Sequence, residues 1–251
     1  MIKMLMCKTS FVLMRQFNIM TGRIIMLKKL KNLIPSYAVI PLIICVIFNF
    51  SVYLGSRAFM QGRAAHYYDM TLAIDEAIPV IPAFTIIYFG CYIFWIANYI
   101  IVCRLGKEHC YKYLFADLMG KAICLLFYLF LPTTNVRPEI TGTGIFDMLL
   151  NFLYTIDSAD NLFPSIHCLV SWYCYAGLRD RKEVSVAYKN FSLIFALLVC
   201  VSTLVTKQHV IVDAIAGVGF AELTWQISQK IGGWKFYTLF ERKEKYSRVS
   251  Q

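Results

Sequence analysis

Residues 83–103 read AFTIIYFGCYIFWIANYIIVC and contain no charged side chain. A helix rises about 1.5 Å per residue, so roughly 20 apolar residues cross the ~30 Å hydrocarbon core of a bilayer. Apolar runs of similar character lie on both sides of this one. The six expected membrane spans are residues 35–55, 80–103, 113–132, 164–178, 190–206 and 209–230. The sequence therefore predicts an all-α integral membrane protein, built as a six-helix bundle.

The overall composition supports this interpretation. The 251 residues are 59% hydrophobic and 16% charged, and the mean hydropathy is +0.59. A soluble domain usually has about 25% charged residues, so an ordinary water-soluble globule is excluded. Glycine (13) and proline (7) are too few for a collagen-like or disordered chain. The predicted environment of most of the chain is lipid.

The positive charge predicts the orientation in the membrane. Lysine and arginine number 25 against 15 aspartates and glutamates, a net charge of +10. Twenty of these cations fall in the two tails and in alternate loops, which would lie on one side of the predicted bundle. The other side has Arg57, Arg63, Arg137 and Lys207. Because cytoplasmic loops are enriched in cations, both termini are expected in the cytoplasm. The expected partner of the charge is the membrane surface, not nucleic acid.

Three regions are expected along the chain. Residues 1–33 form a basic cytoplasmic tail, 34–231 the membrane domain, and 232–251 a second basic cytoplasmic tail. Met26 precedes Leu-Lys-Lys-Leu-Lys, which resembles a natural start, so the first 25 residues are a candidate over-extension of the gene. The nine cysteines lie mostly in apolar runs without C-x-x-C spacing, which predicts packing residues and neither disulfides nor a metal site.

Three elements outside the predicted cytoplasmic loops contain side chains suited to chemistry. They are Arg137 with Pro138, PSIH at 164–167, and STLVTKQHVIVD at 202–213. Histidine has an unperturbed pKa of about 6.5, so it exchanges protons or attacks phosphorus near neutral pH. His167 begins the fourth predicted span and His209 begins the sixth. Both histidines are therefore expected at the outer rim of the bundle, away from the cytoplasm.

The spacing around His209 favours nucleophilic chemistry on a phosphate. His209 and Asp213 are four residues apart, so on a helix the carboxylate can bind one imidazole nitrogen and leave the other free to attack. Ser165 begins a helix, where unpaired amides favour an anion, or it caps that helix. Arg137 offers a planar fork and Lys207 a point charge for phosphate oxygens. Together these residues predict a pocket of the size of one phosphate.

These residues resemble the motifs of the type 2 phosphatidic acid phosphatase superfamily. The resemblance is to the branch that includes inositol phosphorylceramide synthases, and it covers about residues 35–230. The matching motifs are RP at 137–138, PSIH at 164–167 and QHVIVD at 208–213. The resemblance implies a metal-independent enzyme without a cofactor. It also implies that His209 is a nucleophile forming a phosphohistidine, Asp213 its orienting partner, and His167 the general acid. Arg137, Ser165 and Lys207 would bind the phosphoryl oxygens.

The chain departs from the family pattern at three positions. Phe130 stands at the position of the first-motif lysine, Ile166 replaces the usual glycine, and Thr203 stands where the third motif has arginine. Two cations are thus missing from the expected set, and Lys207 is a candidate substitute for one. The departures affect the expected substrate and turnover more than the core of two histidines and one aspartate.

Three functions follow as alternatives. The first is hydrolysis of a lipid phosphate monoester or diphosphate, such as phosphatidic acid, phosphatidylglycerol phosphate or a polyprenyl diphosphate, at the outer leaflet of the cell membrane. The second is transfer of a phospho-headgroup to an alcohol, which differs in whether the pocket excludes water. The third is a catalytically inactive lipid-binding or transport protein, suggested by the two missing cations. The sequence leaves the oligomeric state open.

Simpler roles for the same side chains remain as alternatives. His167 and His209 would then anchor helix ends, and Arg137 and Lys207 would extend to lipid headgroups. Asp157, Asp160 and Asn161 precede the second motif. They are predicted to form a solvated acidic turn, with a role in orienting a catalytic group as the alternative.

Overall fold

The computed structural model describes residues 33–61 and 66–238, and this part of the chain is mostly helical, as predicted. Almost all of the predicted N-terminal tail and the end of the C-terminal tail lie outside the described residues. The α-helices of the described residues are α1 (Ser36–Phe50), α2 (Ser56–Gln61), α3 (Ala73–Ala77), α4 (Thr85–Arg104), α5 (Lys107–Phe130), α6 (Ile145–Ile156), α7 (Ile166–Arg179), α8 (Val186–Val205) and α9 (Ile211–Ile231). A π-helical turn at Ser51–Gly55 joins α1 to α2, and a 3-10 turn at Pro82–Phe84 precedes α4.

Within the described residues, four helical stretches are long and apolar enough to cross a membrane. They are Ser36–Gln61, Pro82–Arg104, Lys107–Phe130 and Val186–Val205, with mean hydropathies of 1.6 to 2.2. They correspond to the first, second, third and fifth predicted spans. Large apolar side chains cover their outward faces, and Ile93 and Phe130 are more than 70% exposed. Such continuous apolar surface is typical of helices that contact lipid.

The other two predicted spans are helices with a different character. Helix α7 has 14 residues, about 21 Å, which is shorter than the hydrocarbon core. It packs against α4, α5, α8 and α9, so it occupies the centre of the helix array. Helix α9 has 21 residues and includes Asp213, Glu222 and Lys230. Because α7 contacts other helices on several sides, its side chains face protein more than lipid.

The connecting segments gather at the end of the array where α5 and α8 finish and α7 and α9 begin, which we call the site end. A short parallel pairing joins β1 (Tyr68–Asp69) to β2 (Thr133–Thr134). Tyr128 on α5 donates a hydrogen bond to the carbonyl of Pro164, 2.9 Å away. The Asn135 amide donates to the carbonyl of Lys207, 3.0 Å away. These contacts bring the three motif segments, which are far apart in the sequence, to one place.

Candidate functional site

The loop between α8 and α9 positions His209 through its backbone. Lys207 adopts a left-handed conformation, with φ of 53°, and reverses the chain after α8. The Thr203 carbonyl then accepts hydrogen bonds from the backbone N–H of Gln208 (2.9 Å) and of His209 (3.1 Å). Since α9 begins at Ile211, His209 precedes this helix instead of beginning the predicted span.

His209 and Asp213 form the predicted pair. The His209 Nδ1 lies 3.3 Å from Asp213 Oδ2, and both side chains are buried. The same carboxylate oxygen accepts the backbone N–H of Val210 at 3.0 Å. Asp213 belongs to the first turn of α9 and reaches back over the start of the helix, so the pairing does not require His209 to be helical. The carboxylate favours a proton on Nδ1, which leaves the lone pair of Nε2 available.

His167 lies next to His209, as predicted. It is the second residue of α7, and its ring centroid is 5.9 Å from that of His209. The His167 ring packs against Tyr88 at 4.5 Å and Trp95 at 5.5 Å, both on one face of α4. Tyr92, between them on the same helix, places its hydroxyl 3.4 Å from His167 Nε2. Aromatic side chains therefore fix the plane of this imidazole.

A second carboxylate, Asp157, is connected to His167 through the hydroxyl of Tyr88. For Asp157 the contacts agree with the alternative role, orientation of a catalytic group, and not with a solvated turn. Tyr88 donates its hydroxyl proton to Asp157 Oδ2 at 2.6 Å, and its oxygen lies 3.4 Å from His167 Nδ1. Tyr53 donates to the other carboxylate oxygen, also at 2.6 Å. Burial acts to raise the pKa of Asp157, but the charge of His167 and the hydrogen bonds from Tyr53 and Tyr88 outweigh it, so this pKa lies below its ordinary value.

The predicted solvated acidic turn at 157–161 is therefore wrong. Asp157 binds the two phenols, and Asp160 forms an ion pair with Arg57, with 2.9 Å between Oδ2 and Nε. Asn161 is 6% exposed. No local pattern signals these contacts, because Tyr53 and Tyr88 lie 104 and 69 residues from Asp157.

Arg137 links the two histidine loops. One guanidinium nitrogen donates to the backbone carbonyl of Asp157, and the other donates to Gln208 Oε1 at 2.7 Å. The guanidinium also stacks on the Tyr154 ring, 5.0 Å from its centroid. Arg137 thus connects the segment before His167 to the residue before His209. A headgroup-anchoring role does not explain these contacts.

Ser165 caps helix α7, which was one of its two predicted roles. Its hydroxyl oxygen accepts the backbone N–H of Cys168 at 3.3 Å, and the side chain is fully buried. Its own backbone N–H donates to the carbonyl of Asp213 at 3.1 Å. The start of α7 is therefore attached directly to the first turn of α9, which holds the two histidines at a fixed separation.

The Lys207 amine points to the connecting segment between α2 and α4. It donates to the backbone carbonyl of Asp75 at 2.7 Å, while Asp75 Oδ1 accepts the backbone N–H of Ile211 at 2.8 Å. Lys207 and His209 both line a cleft of about 350 Å³. Asn135 lines the same cleft, and its Oδ1 is a buried acceptor without a partner. The cleft therefore places a cation and a vacant acceptor beside His209.

The described part of the chain contains no group of three or more His, Cys, Asp or Glu side chains placed to hold a metal ion. Comparison with protein-family models, curated proteins and solved structures finds no match. The functional argument therefore depends on the motif residues and on their geometry.

Proposed function

We propose that this protein is a membrane lipid phosphatase that acts through a phosphohistidine on His209. The observation that carries the proposal is the proximity of His167 and His209, whose ring centroids are 5.9 Å apart. Each imidazole is oriented by a carboxylate. Asp213 binds His209 directly, and Asp157 reaches His167 through Tyr88. A pair of imidazoles with this support suits a nucleophile and a general acid acting on one phosphoryl group.

The proposed setting is a six-helix bundle in the cell membrane, with both termini in the cytoplasm and the site facing outward. In this arrangement α7 and α9 complete the array of the four long apolar helices. The distribution of lysine and arginine supports the orientation, because the loops at the site end have few cations. The substrate would then enter from the outer leaflet, with its chain in lipid and its phosphate at His209.

In the first proposed step, His209 Nε2 attacks phosphorus and the bond from phosphorus to the leaving oxygen breaks. His167 gives its Nε2 proton to that oxygen, so the alcohol or phosphate leaves in neutralised form. In the second step, water attacks the phosphohistidine and transfers a proton to His167. The phosphorus–nitrogen bond breaks, its electron pair returns to His209, and inorganic phosphate is released. Asp213 stabilises the positive charge on His209 in both steps.

Transfer to an alcohol is the second candidate, and the cleft beside His209 favours it specifically. Its volume of about 350 Å³ exceeds the volume that one water molecule occupies. The buried Asn135 Oδ1 provides an unoccupied acceptor for a hydroxyl group. For this reaction the substrate would be a phosphodiester lipid, so that His209 takes up the phospho-headgroup when the lipid alcohol leaves. An alcohol bound in the cleft would replace water in the second step, and a new phosphodiester would form.

The test uses the purified full-length protein with phosphatidic acid, phosphatidylglycerol phosphate, a polyprenyl diphosphate and a phosphodiester phospholipid, with and without added alcohols. We expect phosphate release by the wild type and complete loss in His209→Ala. His167→Ala should lower kcat by about 10²–10⁴-fold, the usual contribution of a general acid. His66→Ala is the matched control, because His66 is exposed and its ring packs against Tyr68 and against neither of the two site histidines in the contacts of the described residues.

Each outcome selects one function. Free phosphate from several substrates supports hydrolysis, and headgroup exchange without free phosphate supports transfer. Acid-labile, base-stable labelling of the wild type, absent from His209→Ala, identifies the phosphohistidine. Equal inactivity of wild type and His209→Ala over the whole panel would reject the enzyme and favour the lipid-binding or transport alternative.

A further inference from the structure

The side chain of Gln208 is held in one orientation and leaves a donor unused. It is 1% exposed, and its Oε1 accepts a hydrogen bond from Arg137 at 2.7 Å. Only the carbonyl end of a carboxamide can face a guanidinium, because both groups would otherwise present donors. The amide nitrogen must therefore point elsewhere. Gln208 Nε2 is buried and has no partner.

A second donor without a partner lies on the residue that Gln208 binds. Arg137 uses both terminal nitrogens, on Asp157 and Gln208, but its Nε is buried and unpartnered. Buried N–H groups in native proteins are almost always paired. Two orphaned donors on neighbouring side chains, one of them cationic, together indicate an absent acceptor with negative charge.

The position of these donors identifies the ligand chemistry. Gln208 directly precedes His209, and the backbone N–H groups of both residues converge on the Thr203 carbonyl. This carbonyl fixes the backbone of Gln208 and His209, and the hydrogen bond from Arg137 fixes the carboxamide of Gln208. An anion bound by Gln208 and Arg137 would lie next to the residue that is proposed to attack phosphorus.

We propose that Gln208 binds a phosphoryl oxygen through Nε2 and stabilises the negative charge that develops as His209 attacks. This inference rests on the proposed phosphatase or transferase function. Arg137 supplies the positive charge for the same phosphoryl group, and Gln208 supplies a neutral hydrogen-bond donor whose direction is fixed. A preorganised donor of this type acts most strongly in the transition state, so it raises kcat more than it lowers KM.

Gln208→Glu separates this role from a purely structural one. The substitution keeps the oxygen that binds Arg137 and nearly the same shape, but it replaces the NH₂ donor with a carboxylate oxygen. If Gln208 only orients Arg137, the variant should retain activity, because a carboxylate binds a guanidinium at least as well. If Gln208 binds phosphate, kcat should fall by about 10²–10³-fold while the thermal midpoint stays near that of the wild type.

Two further variants complete the design. Gln208→Met removes the donor without adding charge, and it should also lower kcat by about 10²-fold with little change in KM. Gln229→Glu is the matched control, since Gln229 also has a buried Nε2 without a partner but lies near the other end of α9. The two glutamines are separated by about 27 Å of helix. The control should retain wild-type kcat.

A binding measurement keeps the inference distinct from the proposed function. Orthovanadate adopts the geometry of a phosphoryl group under attack, and its binding is followed through the thermal midpoint. We expect it to stabilise the wild type and Gln229→Glu but neither Gln208 variant. If Gln208→Glu turned over substrate and bound vanadate as well as the wild type does, the inference about Gln208 would be overturned and the proposed function would stand. Wild-type binding without turnover of any substrate would instead reject the proposed function, and the Gln208 variants would still be judged by binding.

Discussion

At the scale of single residues, the two histidines differ in how a carboxylate is connected to each ring. His209 is bound directly by Asp213, whereas the oxygen of Tyr88 lies between Asp157 and His167. The Tyr88 hydroxyl donates a hydrogen bond to the carboxylate, so its oxygen can accept a hydrogen bond from His167 Nδ1. His209 then keeps Nε2 for chemistry, whereas His167 Nε2 has the Tyr92 hydroxyl 3.4 Å away as a second neighbour. This arrangement fits a division between a nucleophile, which needs strong electrostatic support, and an acid, which must release its proton.

Tyr88→Phe tests the phenol bridge. The ring that packs on His167 is retained and only the hydroxyl is lost. One net hydrogen bond is worth about 1 kcal/mol, so we expect kcat to fall by about 5-fold with KM little changed. Tyr37→Phe is the matched control, because its hydroxyl binds the Cys103 carbonyl away from the two histidines. Equal losses in both variants would indicate a general packing defect and contradict the bridge.

Asp157→Asn tests the charge of the carboxylate through pH. The pKa of an unfolded aspartate is about 3.9, and the folded pKa of Asp157 lies below its ordinary value. Such a group stabilises the fold above its unfolded pKa, and the contribution is lost as pH falls through the folded pKa. We expect the variant to be less stable by about 2 kcal/mol from about pH 5 to 8, and the difference to shrink below about pH 4.

Thermal midpoints of both proteins in detergent, measured across this pH range, give the comparison. Asp147→Asn, at the other end of α6, is the control for detergent and pH effects. A stability difference that grows on acidification would mean that the folded pKa is raised, which would contradict the hydrogen-bonded carboxylate.

At the scale of elements, the histidine separation depends on how closely α7 approaches α9. A Cβ added at Gly217 would lie 2.5 Å from the Ser165 carbonyl oxygen and 3.1 Å from Cys168 Cβ. The first distance is too short for any real contact, so the start of α7 would have to move. Only glycine at this position allows the backbone contact that attaches Ser165 to Asp213.

Gly217→Ala should therefore destabilise the protein and reduce activity together. Overpacking of a tight helix contact costs about 1–3 kcal/mol, and the displacement falls on the segment that contains His167. Gly219→Ala is the matched control on the same helix, because a Cβ added there would have no neighbouring atom within 4 Å. That control should be as stable as the wild type or slightly more stable, since alanine favours helix. A fully active Gly217→Ala would show that the close approach does not set the site.

The sequence predicted the long helices well and the site contacts only in part. Long apolar runs without charge indicate lipid contact directly, so four of the expected spans are long apolar helices in the structure, with bounds close to the expected ones. The start of α9 was placed two residues early, because the turn before it uses Lys207 in a left-handed conformation where glycine is the usual signal.

The motif residues were predictable because short spacing fixes their geometry. His209 and Asp213 are four residues apart, and any local turn or helix brings them together. The position of Asp157 before the second motif indicated an orienting role only as an alternative, and nothing in the sequence indicated the partners of Asp157 and Gln208, which lie 69 or more residues away. Such contacts depend on how the helices pack, and no local pattern encodes that packing.

At the scale of the whole molecule, charge divides the chain between two ends. Lys107, Arg179 and Arg181 lie in or next to the turns that follow α4 and α7, whereas the site end has Arg57, Arg137 and Lys207 among the described residues. Each of these three site-end cations already contacts a protein oxygen, on Asp160, Asp157 or Asp75 respectively. The site end has fewer cations than the opposite end among the described residues, as expected for the face of a membrane protein away from the cytoplasm.

The orientation is tested with one epitope in the full chain. Residues 141–143 are exposed at the site end, so an epitope inserted after Thr141 should not disturb a helix. We expect an impermeant antibody to bind this epitope on intact spheroplasts. An epitope after Gln251 should be bound only after permeabilisation, because the C-terminal tail is expected in the cytoplasm. The inserted protein must keep wild-type phosphate release, which shows that it is folded. Antibody binding to the C-terminal epitope on intact spheroplasts would reverse the proposed topology and place His209 on the cytoplasmic face, where an outer-leaflet lipid phosphate cannot reach it.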